Sequence, residues 1–596
     1  MPERIAAVPD PVGPGGRLQR LAEDGTPLGD PEAVSDLASA VAARETRPAG
    51  TPPRWVWAST DACYPGLLER RPTRPSRCHD VKLVESLLLG YEERHRQPRS
   101  LGAAWARLRG VTEPDDLPEP GEGAAAGLPV LFAADRHRLP PGADALEVLV
   151  AVHREQQRRI ASVAHPERMR LLCAAESAGA LAAVEMSHDG LPWSAAVHDE
   201  LLTGLLGPRP SGGARPKLLA ELAARFQEAI GSPVNPDSPA QVLPAFARAG
   251  VPLPSTRSWV LRESNHPAAE LLLRYKELSR IHAAHGWAWR EQWVRDGRFR
   301  PEYVVGGVVS GRWATRGGGA LQIPRLLRSA VVADPGCRLV VADAGQLEPR
   351  VLAAMSGDQG LARAAAEGDL YAALARSAFD GDRGRAKIAL LAAMYGQTRG
   401  EGGQLVAVLR RRYPDAMELV ESAARTGEAG GVVRSRLGRT SPRPGPRWQQ
   451  ADGDEDGFGE GAGAGTRDEQ RAARSWGRFT RNFVIQASAA DWALAMLAAL
   501  RRRLADLGEG REGHRAQLVF FQHDEIIVHA PAELSAAAAH AVGDAAEEAR
   551  RLVFGATPVP FPLDTHVVEC YADAKPGASG GPSGVGPSTV TSATLS

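Results

Sequence analysis

The chain has 596 residues, 71 basic side chains against 71 acidic ones and a 43% hydrophobic fraction, so it can bury several cores but carries no net charge that announces a nucleic-acid partner. Its five cysteines are scattered and never spaced Cys-x-x-Cys, which argues against a disulfide framework or zinc site and for a reducing, cytoplasmic setting. No signal-peptide pattern opens the sequence and no uninterrupted apolar run approaches the ~18 residues of a membrane span, so no membrane association is expected.

In chain order, residues 1 to about 165 mix short apolar runs (Trp55-Val-Trp57, Val81 to Leu89, Leu128 to Phe132) with Pro/Gly-rich breaks, the pattern of an α/β domain, and Leu146 to Ala161 reads as a helix. Glu167 to Glu228 is amphipathic and helical, a turn at Asn235-Pro-Asp precedes another helix start, and Pro267 to His285 is a long helix. Strands return at Tyr303 to Val309 and Arg338 to Ala342, after which Gly345 to about Val432 is mostly helical. The acidic, Gly-rich stretch Gly457 to Gly465 reads as a disordered loop, and so does the uncharged tail 576–596. Helices are expected over Gln470 to Leu504 and Ser535 to Leu552, with a last strand at Leu563 to Val568.

Two acids stand out. Leu518-Val-Phe-Phe-Gln-His-Asp-Glu-Ile-Ile-Val-His529 places Asp524 between two apolar runs, and Arg338-Leu-Val-Val-Ala-Asp343 ends another run on an acid. Two isolated carboxylates at strand ends suit a two-metal phosphoryl-transfer site. For Asp343 alone, a cap on the helix that starts near Gln346 explains the residue as well, and Pro349 then falls in that helix's first turn.

The helix after Asp382 spaces Arg383, Lys387, Leu391 and Tyr395 by four, a stripe roughly 18 Å long at ~1.5 Å per residue. That is about the length of a nucleoside triphosphate, with cations at one end and apolar or aromatic groups at the other; in isolation it is equally an ordinary basic surface helix. Only five of the 71 basic residues are lysine, which makes Lys387 an exception in an arginine-dominated chain.

Together these segments resemble family A DNA polymerases, the bacterial DNA polymerase I type. Asp343-Ala-Gly-Gln-Leu-Glu-Pro-Arg350 is similar to motif A, Arg383 to Gly396 to motif B, and Gln522-His-Asp-Glu525 to motif C. Ser310-Gly-Arg312, Leu321-Gln-Ile-Pro324, Ser356-Gly-Asp358 and Arg478-x-x-x-Asn482-x-x-x-Gln486-Ala-Ser-Ala-Ala-Asp491 resemble further family segments in the family's order.

The resemblance implies an α+β multidomain, right-hand fold: an antiparallel palm sheet with helical fingers and thumb, preceded by an α/β exonuclease-like (RNase H-like) domain. The implied divisions are 1–166 exonuclease-like, 167–290 thumb, 291–358 palm with motif A, 359–475 fingers, 476–575 palm with motif C and 576–596 tail. It implies template-directed DNA synthesis in repair or replication by a monomer that binds primer-template DNA and deoxynucleoside triphosphates. Asp343, the Ala344 carbonyl and Asp524 would hold two Mg²⁺ ions. Arg383 and Lys387 would grip phosphates, with Lys387 counted among the catalytic groups; Leu391 would line the nucleotide, and Tyr395 with Glu348 would wall off a 2′-hydroxyl. Gln346 would support the nascent pair. Arg312, Arg478, Asn482, Gln486 and His523 would contact the primer-template, and Arg439, in a basic loop running to Arg447, would meet a template phosphate.

The motif A Tyr-Ser is here Ala344-Gly345, Pro349 replaces a leucine, and Leu391 replaces an aromatic residue, so altered sugar or base discrimination is expected. The carboxylate motifs of a 3′–5′ exonuclease are not found. No asparagine precedes Asn235, neither Tyr64 nor Tyr91 is followed four residues on by Asp, and the one Asp-x-Glu, Asp30-Pro-Glu32, carries a proline. The expectation is a degenerate exonuclease domain without proofreading and with no 5′-nuclease domain before it. Two alternatives remain: a polymerase-shaped DNA-binding protein weakened by the motif departures, and a nuclease built on early acids such as Asp80 or Asp135.

Overall fold

The computed structural model describes residues 3–46, 51–117, 137–316, 319, 323–396, 400–444, 466–508, 515–522 and 524–574. The expectations for Leu128 to Phe132, Asp135, Leu321-Gln322, Arg447, the acidic Gly-rich stretch, His523 and the tail lie outside the described residues.

The N-terminal unit is built on β1 (Arg4–Pro9), β2 (Gly16–Leu21), β3 (Glu32–Val34), β4 (Arg54–Trp57) and β5 (Arg77–Asp80), in the order β3-β2-β1-β4-β5. The first three strands are antiparallel, whereas β4 runs parallel to β1 and β5 parallel to β4. Helices and a mixed sheet alternate here, as expected of an α/β unit. Its helices are α1 (Leu37–Glu45), α2 (Thr60–Arg70), α3 (Val81–Tyr91), α4 (Leu101–Arg109) and α5 (Ala145–Ser162). Alternation along the strands sends Trp55 and Trp57 to one face, where they meet Tyr64 and Leu181, and Ala6 and Val56 to the other, against Val148 and Leu149 of α5. The apolar run from Val81 is therefore helix, with Asp80 as its N-cap.

Helix α6 (Pro166–Asp189) packs against β5 and α2 and also against the long helix and palm strand described below. The thumb expected from residue 167 thus gathers its own core later than that. After β6 (Leu191–Pro192) come α7 (Ala195–Leu206), α8 (Lys217–Ile230), α9 (Pro239–Arg248), α10 (Ser258–Glu263), α11 (Pro267–His285) and α12 (Trp287–Trp293), whose buried side chains form two clusters of their own. Proline at the first helical position fixes the start of α11, where no N–H partner is needed.

Next come β7 (Val294–Arg295), β8 (Arg298–Phe299), β9 (Glu302–Val304) and β10 (Ala314–Arg316). The strand expected through Val309 stops at Val304, because Gly306 turns the chain with φ +63° directly over the Glu176 carboxylate, where a Cβ would come within 2.6 Å of an oxygen.

The palm sheet starts with β11 (Cys337–Ala344). Six helices follow: α13 (Leu347–Ser356), α14 (Gln359–Ala366), α15 (Leu370–Ala378), α16 (Arg383–Tyr395), α17 (Gly400–Arg412) and α18 (Pro414–Glu428). Helix α19 (Thr466–Leu507) is 42 residues long and unbroken across the expected fingers–palm division at 475/476. Its Gln470–Leu507 part is long and apolar enough to cross a bilayer, but 89% of the apolar window is buried inside the protein, as in a core helix. The chain then forms β12 (Gln517–Gln522), β13 (Glu525–Pro531), α20 (Ser535–Phe554) and β14 (Leu563–Val568). The antiparallel strand order is β12-β13-β11-β14.

Both faces of this sheet are covered. Val340, Ala342, Ile526 and Val528 join the core shared with α19 and α20, while Leu339, Val341, Phe520 and Ile527 join a second cluster with Tyr571. Double burial explains why these strands read as continuous apolar runs rather than alternating ones.

Candidate active site

Antiparallel pairing of β11 with β13 brings the two strand-end acids to one sheet edge. Asp343 is paired in register with Glu525, and the Ala344 N–H donates to the Asp524 carbonyl at 3.0 Å. Both acids are half-buried. Burial first, and then the neighbouring Asp343 charge, push the Asp524 carboxyl up to about 6. A partly buried Asp524 carboxylate beside the Asp343 charge forms an anionic site that a divalent cation would relieve. Among the described residues no cluster of three or more His, Cys, Asp or Glu side chains competes with it as a metal site. Mg²⁺ commonly takes only one or two carboxylates and completes its shell with substrate phosphates, so the donor set fits.

Asp343 does not cap the following helix. The N-cap of α13 is Gln346, held at φ 60° and ψ 40°, a left-handed conformation that costs a non-glycine residue about 1 kcal/mol or more. Its amide works elsewhere: Nε2 donates to Asp369 at 2.7 Å and Oε1 accepts from the Leu370 N–H at 2.9 Å. Pro349 lies in the first turn, as expected, and buried Arg350 donates to the carbonyls of Gly345, Ala365 and Pro560.

Helix α16 presents Arg383 and Lys387 to solvent and leaves Leu391 half-buried. Arg383 Nε donates to Asp369 at 2.8 Å, and its guanidinium lies 5.6 Å from the Tyr371 ring. At the far end of the stripe, the Tyr395 hydroxyl donates to Glu348 at 2.8 Å, and Arg312 closes on the other Glu348 oxygen. Burial and then Glu348 push the Tyr395 hydroxyl up to about 12. Arg312, Glu348 and Tyr395, which the resemblance assigned to two separate roles, thus form one hydrogen-bonded latch.

Gly396 ends α16 at φ +74°, and a Cβ there would lie 2.8 Å from Arg478 Cγ, so Arg478 lies across the helix end. Arg478, Asn482 and Gln486 follow one face of α19; Arg478 is exposed and the other two are half-buried, while most of their neighbours are buried. Arg481, one residue off that face, donates to the Ala393 carbonyl at 2.8 Å and ties α19 to α16.

Arg439 departs from the expectation of a template-phosphate contact. It is 6% exposed; Nη2 donates to Glu176 at 2.6 Å and Nε to Asp491 at 3.2 Å. A Cβ at Gly311 would stand 2.4 Å from its Nε, so this buried triad backs directly onto the segment that presents Arg312. Arg434 and Arg443 of the basic loop reach the N-terminal unit, whereas Arg436 donates to Ser488 and to the Val553 carbonyl. Arg434 lies 4.5 Å from the Tyr91 ring, Arg443 pairs with Glu93, and His95 bonds the Thr440 carbonyl at 2.8 Å.

The residue that sequence reasoning missed is Asp369, which caps α15 and joins Gln346 to Arg383. An acid before an apolar helical run was a visible cap signal; its bridging role was not. In the N-terminal unit β1 carries no acid, Asp80 accepts the N–H groups of Thr60 and Leu83, and Glu32 pairs with Arg44 on the edge strand β3.

The DNA polymerase family A profile matches residues 215–573. Among curated proteins, DNA polymerase I of Chloroflexus aurantiacus is 28% identical over 355 residues, 52% of this chain and 35% of the relative. The thermostable DNA polymerase I of Thermus aquaticus is 25% identical over 334 residues, 52% of this chain and 36% of the relative. The chain thus spans about a third of the length of the curated relatives it matches. Among solved structures, the POL domain of Pol1 from M. smegmatis, in complex with DNA primer-template and dNTP, superposes with a TM-score of 0.66 at 18% identity and covers 96% of each chain, a likeness of fold. With the family profile spanning more than half of its length, the chain belongs to DNA polymerase family A.

Proposed function

We propose that the chain is a DNA-directed DNA polymerase that adds deoxynucleotides to a primer 3′-hydroxyl, in DNA repair or replication. The observation that carries this reading is the pair Asp343 and Asp524 on one sheet edge, in a fold whose α16 carries Arg383 and Lys387 and ends at the Tyr395–Glu348 latch. Asp343, Asp524 and the Ala344 carbonyl would hold two Mg²⁺ ions, which when bound activate the hydroxyl and neutralise charge on the triphosphate. Lys387 and Arg383 grip the phosphates, Lys387 as a point charge and Arg383 as a fork preset by Asp369. The latch excludes a 2′-hydroxyl, Leu391 lines the nucleotide, and Gln346 holds the turn after the metal-binding strand. Arg312, Arg478, Asn482, Gln486 and His523 face the primer-template. Arg439 acts behind them as a positioning residue.

Support also comes from the M. smegmatis neighbour, whose structure holds primer-template DNA and dNTP. The reading includes a monomer working at the nucleoid in the cytoplasm, and no proofreading, because the acids of the N-terminal unit named above serve as caps and ion pairs. Primer extension with Mg²⁺ and four deoxynucleotides tests it: wild type extends, and Asp343→Ala or Asp524→Ala does not. Equal extension by wild type and either variant overturns it. Metal-dependent shortening of a mismatched primer without nucleotides would overturn the statement on proofreading.

A further inference from the structure

Between the N-terminal unit and the palm lies a cavity of about 590 Å³, bounded by the starts of β4, β5 and β12, by α6 and by the C-terminal part of α19. Its size and its position at a domain interface are those of a small-molecule site. Arg54, Arg77 and Arg515 all line it. Arg54 donates to the Cys78 carbonyl at 3.0 Å and Arg77 to the Pro52 carbonyl at 2.7 Å; among the described residues, none of the three arginines forms an ion pair with a carboxylate. Burial lowers the pKa of each of the three, and the charges of Glu45 near Arg77 and of Asp189 and Glu185 near Arg515 offset that loss of water only in part.

The carboxylates that line the cavity form their ion pairs with other arginines. Glu185 accepts from the Tyr64 hydroxyl at 2.6 Å and from Arg501 at 2.8 and 2.5 Å, and pairs with Arg74 at 3.3 Å, so its charge is already matched by two arginines. Glu548 is held by Arg502 and Arg503, and Asp506 is exposed and unpaired with the three. The opposite wall, from α6 and α19, is largely alanine and leucine. A cavity lined by partly desolvated guanidiniums that lack an ion-pair partner and by small apolar side chains matches an anion with an apolar body. Guanidinium forks suit phosphate above other anions.

We infer that this cavity binds a phosphate-bearing small molecule of nucleotide size, at a site separate from the metal-binding edge. The separation follows from β12: Gln517 and Leu518 line the cavity, while Asp524 lies beyond the strand's other end, about 20 Å away at ~3.3 Å per residue.

The test is isothermal titration of the full chain in EDTA with inorganic pyrophosphate and, in a second arm, with dAMP. The expected result is one binding event that persists in Arg383→Ala/Lys387→Ala and weakens at least ten-fold in Arg54→Gln/Arg515→Gln. Arg515→Gln alone, at a half-buried side chain without an ion-pair partner, serves if the double variant does not fold, and primer extension by the variant reports its folded state. Tighter binding of dAMP assigns a nucleotide; equal binding assigns the phosphate group alone. No binding in either arm, or binding that disappears with Lys387 and ignores Arg54 and Arg515, overturns the inference.

Discussion

The N-terminal and palm sheets use the same device, an acid at a strand end, and put it to opposite uses. Asp80 ends β5 and Asp524 lies in the turn between β12 and β13, and burial pushes both carboxyls up to about 6. Asp80 is 2% exposed and accepts the N–H groups of Thr60 and Leu83, so the backbone uses its lone pairs. Asp524 has Asp343 as its neighbour and stays half-buried at an open edge. A raised carboxyl therefore does not mark chemistry, nor does a neighbouring acid alone, since Asp61 also raises Asp80; what differs is that Asp80 is buried on the N–H groups of two other residues, whereas Asp524 stays partly exposed beside Asp343.

The sharpest way to break this contrast is by exchange of effects. Asp343→Ala or Asp524→Ala is expected to lower primer-extension rates by about a thousand-fold or more, about 4 kcal/mol at 1.36 per decade, with the melting temperature held or raised. Asp80→Ala is expected to do the reverse: extension per folded molecule within about two-fold of wild type, with stability lower by about 2 kcal/mol from the lost cap and exposed donors. Extension lost in Asp80→Ala with the fold intact would end the distinction.

Arg439→Ala should cost about 3–5 kcal/mol in denaturant unfolding, because Glu176 and Asp491 are left buried without their cation. Arg439→Lys, if folded, should leave the salt slope of DNA binding unchanged; a slope smaller by about one would restore the phosphate contact expected from the basic loop. Glu348→Ala should raise ribonucleotide incorporation relative to deoxynucleotide by about 10–200-fold, and Tyr395→Phe, which removes only the hydroxyl to Glu348, by less than about ten-fold.

The last effect is on acid stability. Asp80 binds its proton more tightly folded, about 6 against an ordinary 3.8, so its contribution to stability is present at low pH and is lost as pH rises from about 4 to 6. His79, lowered by burial to about 4 from 6.5, acts oppositely: its contribution is present above about 6.5 and is lost as pH falls towards 4. Asp80→Asn removes the compensating group, so urea midpoints of the variant should fall more steeply than wild type between pH 6.5 and 4, by up to about 3 kcal/mol.

Features with local causes were legible in the sequence. Helix α11 starts at Pro267 and strand β14 covers Leu563–Val568 as expected, because a proline and a short apolar run bounded by breakers carry their own signals. The stripe of α16 was legible from its spacing. Features set by distant partners were not. Arg439 reads as one more arginine in a basic loop until Glu176 and Asp491, far away in the chain, are brought to it. The amphipathic pattern of α6 says that it has a buried side, not that this side divides between the N-terminal unit and the palm. Gln346 in a left-handed turn has no signature at all, since asparagine or glycine is the usual occupant.

The bond from the Ala344 N–H to the Asp524 carbonyl has a consequence for how this protein can change over time. The spacing of the two acids is tied to a main-chain ladder, with Ala344 buried in the core beneath it and Gly345 exposed beside it. A side chain at the exposed position 345 can therefore change the surroundings of Asp343 and Asp524 while the ladder keeps the two acids in place.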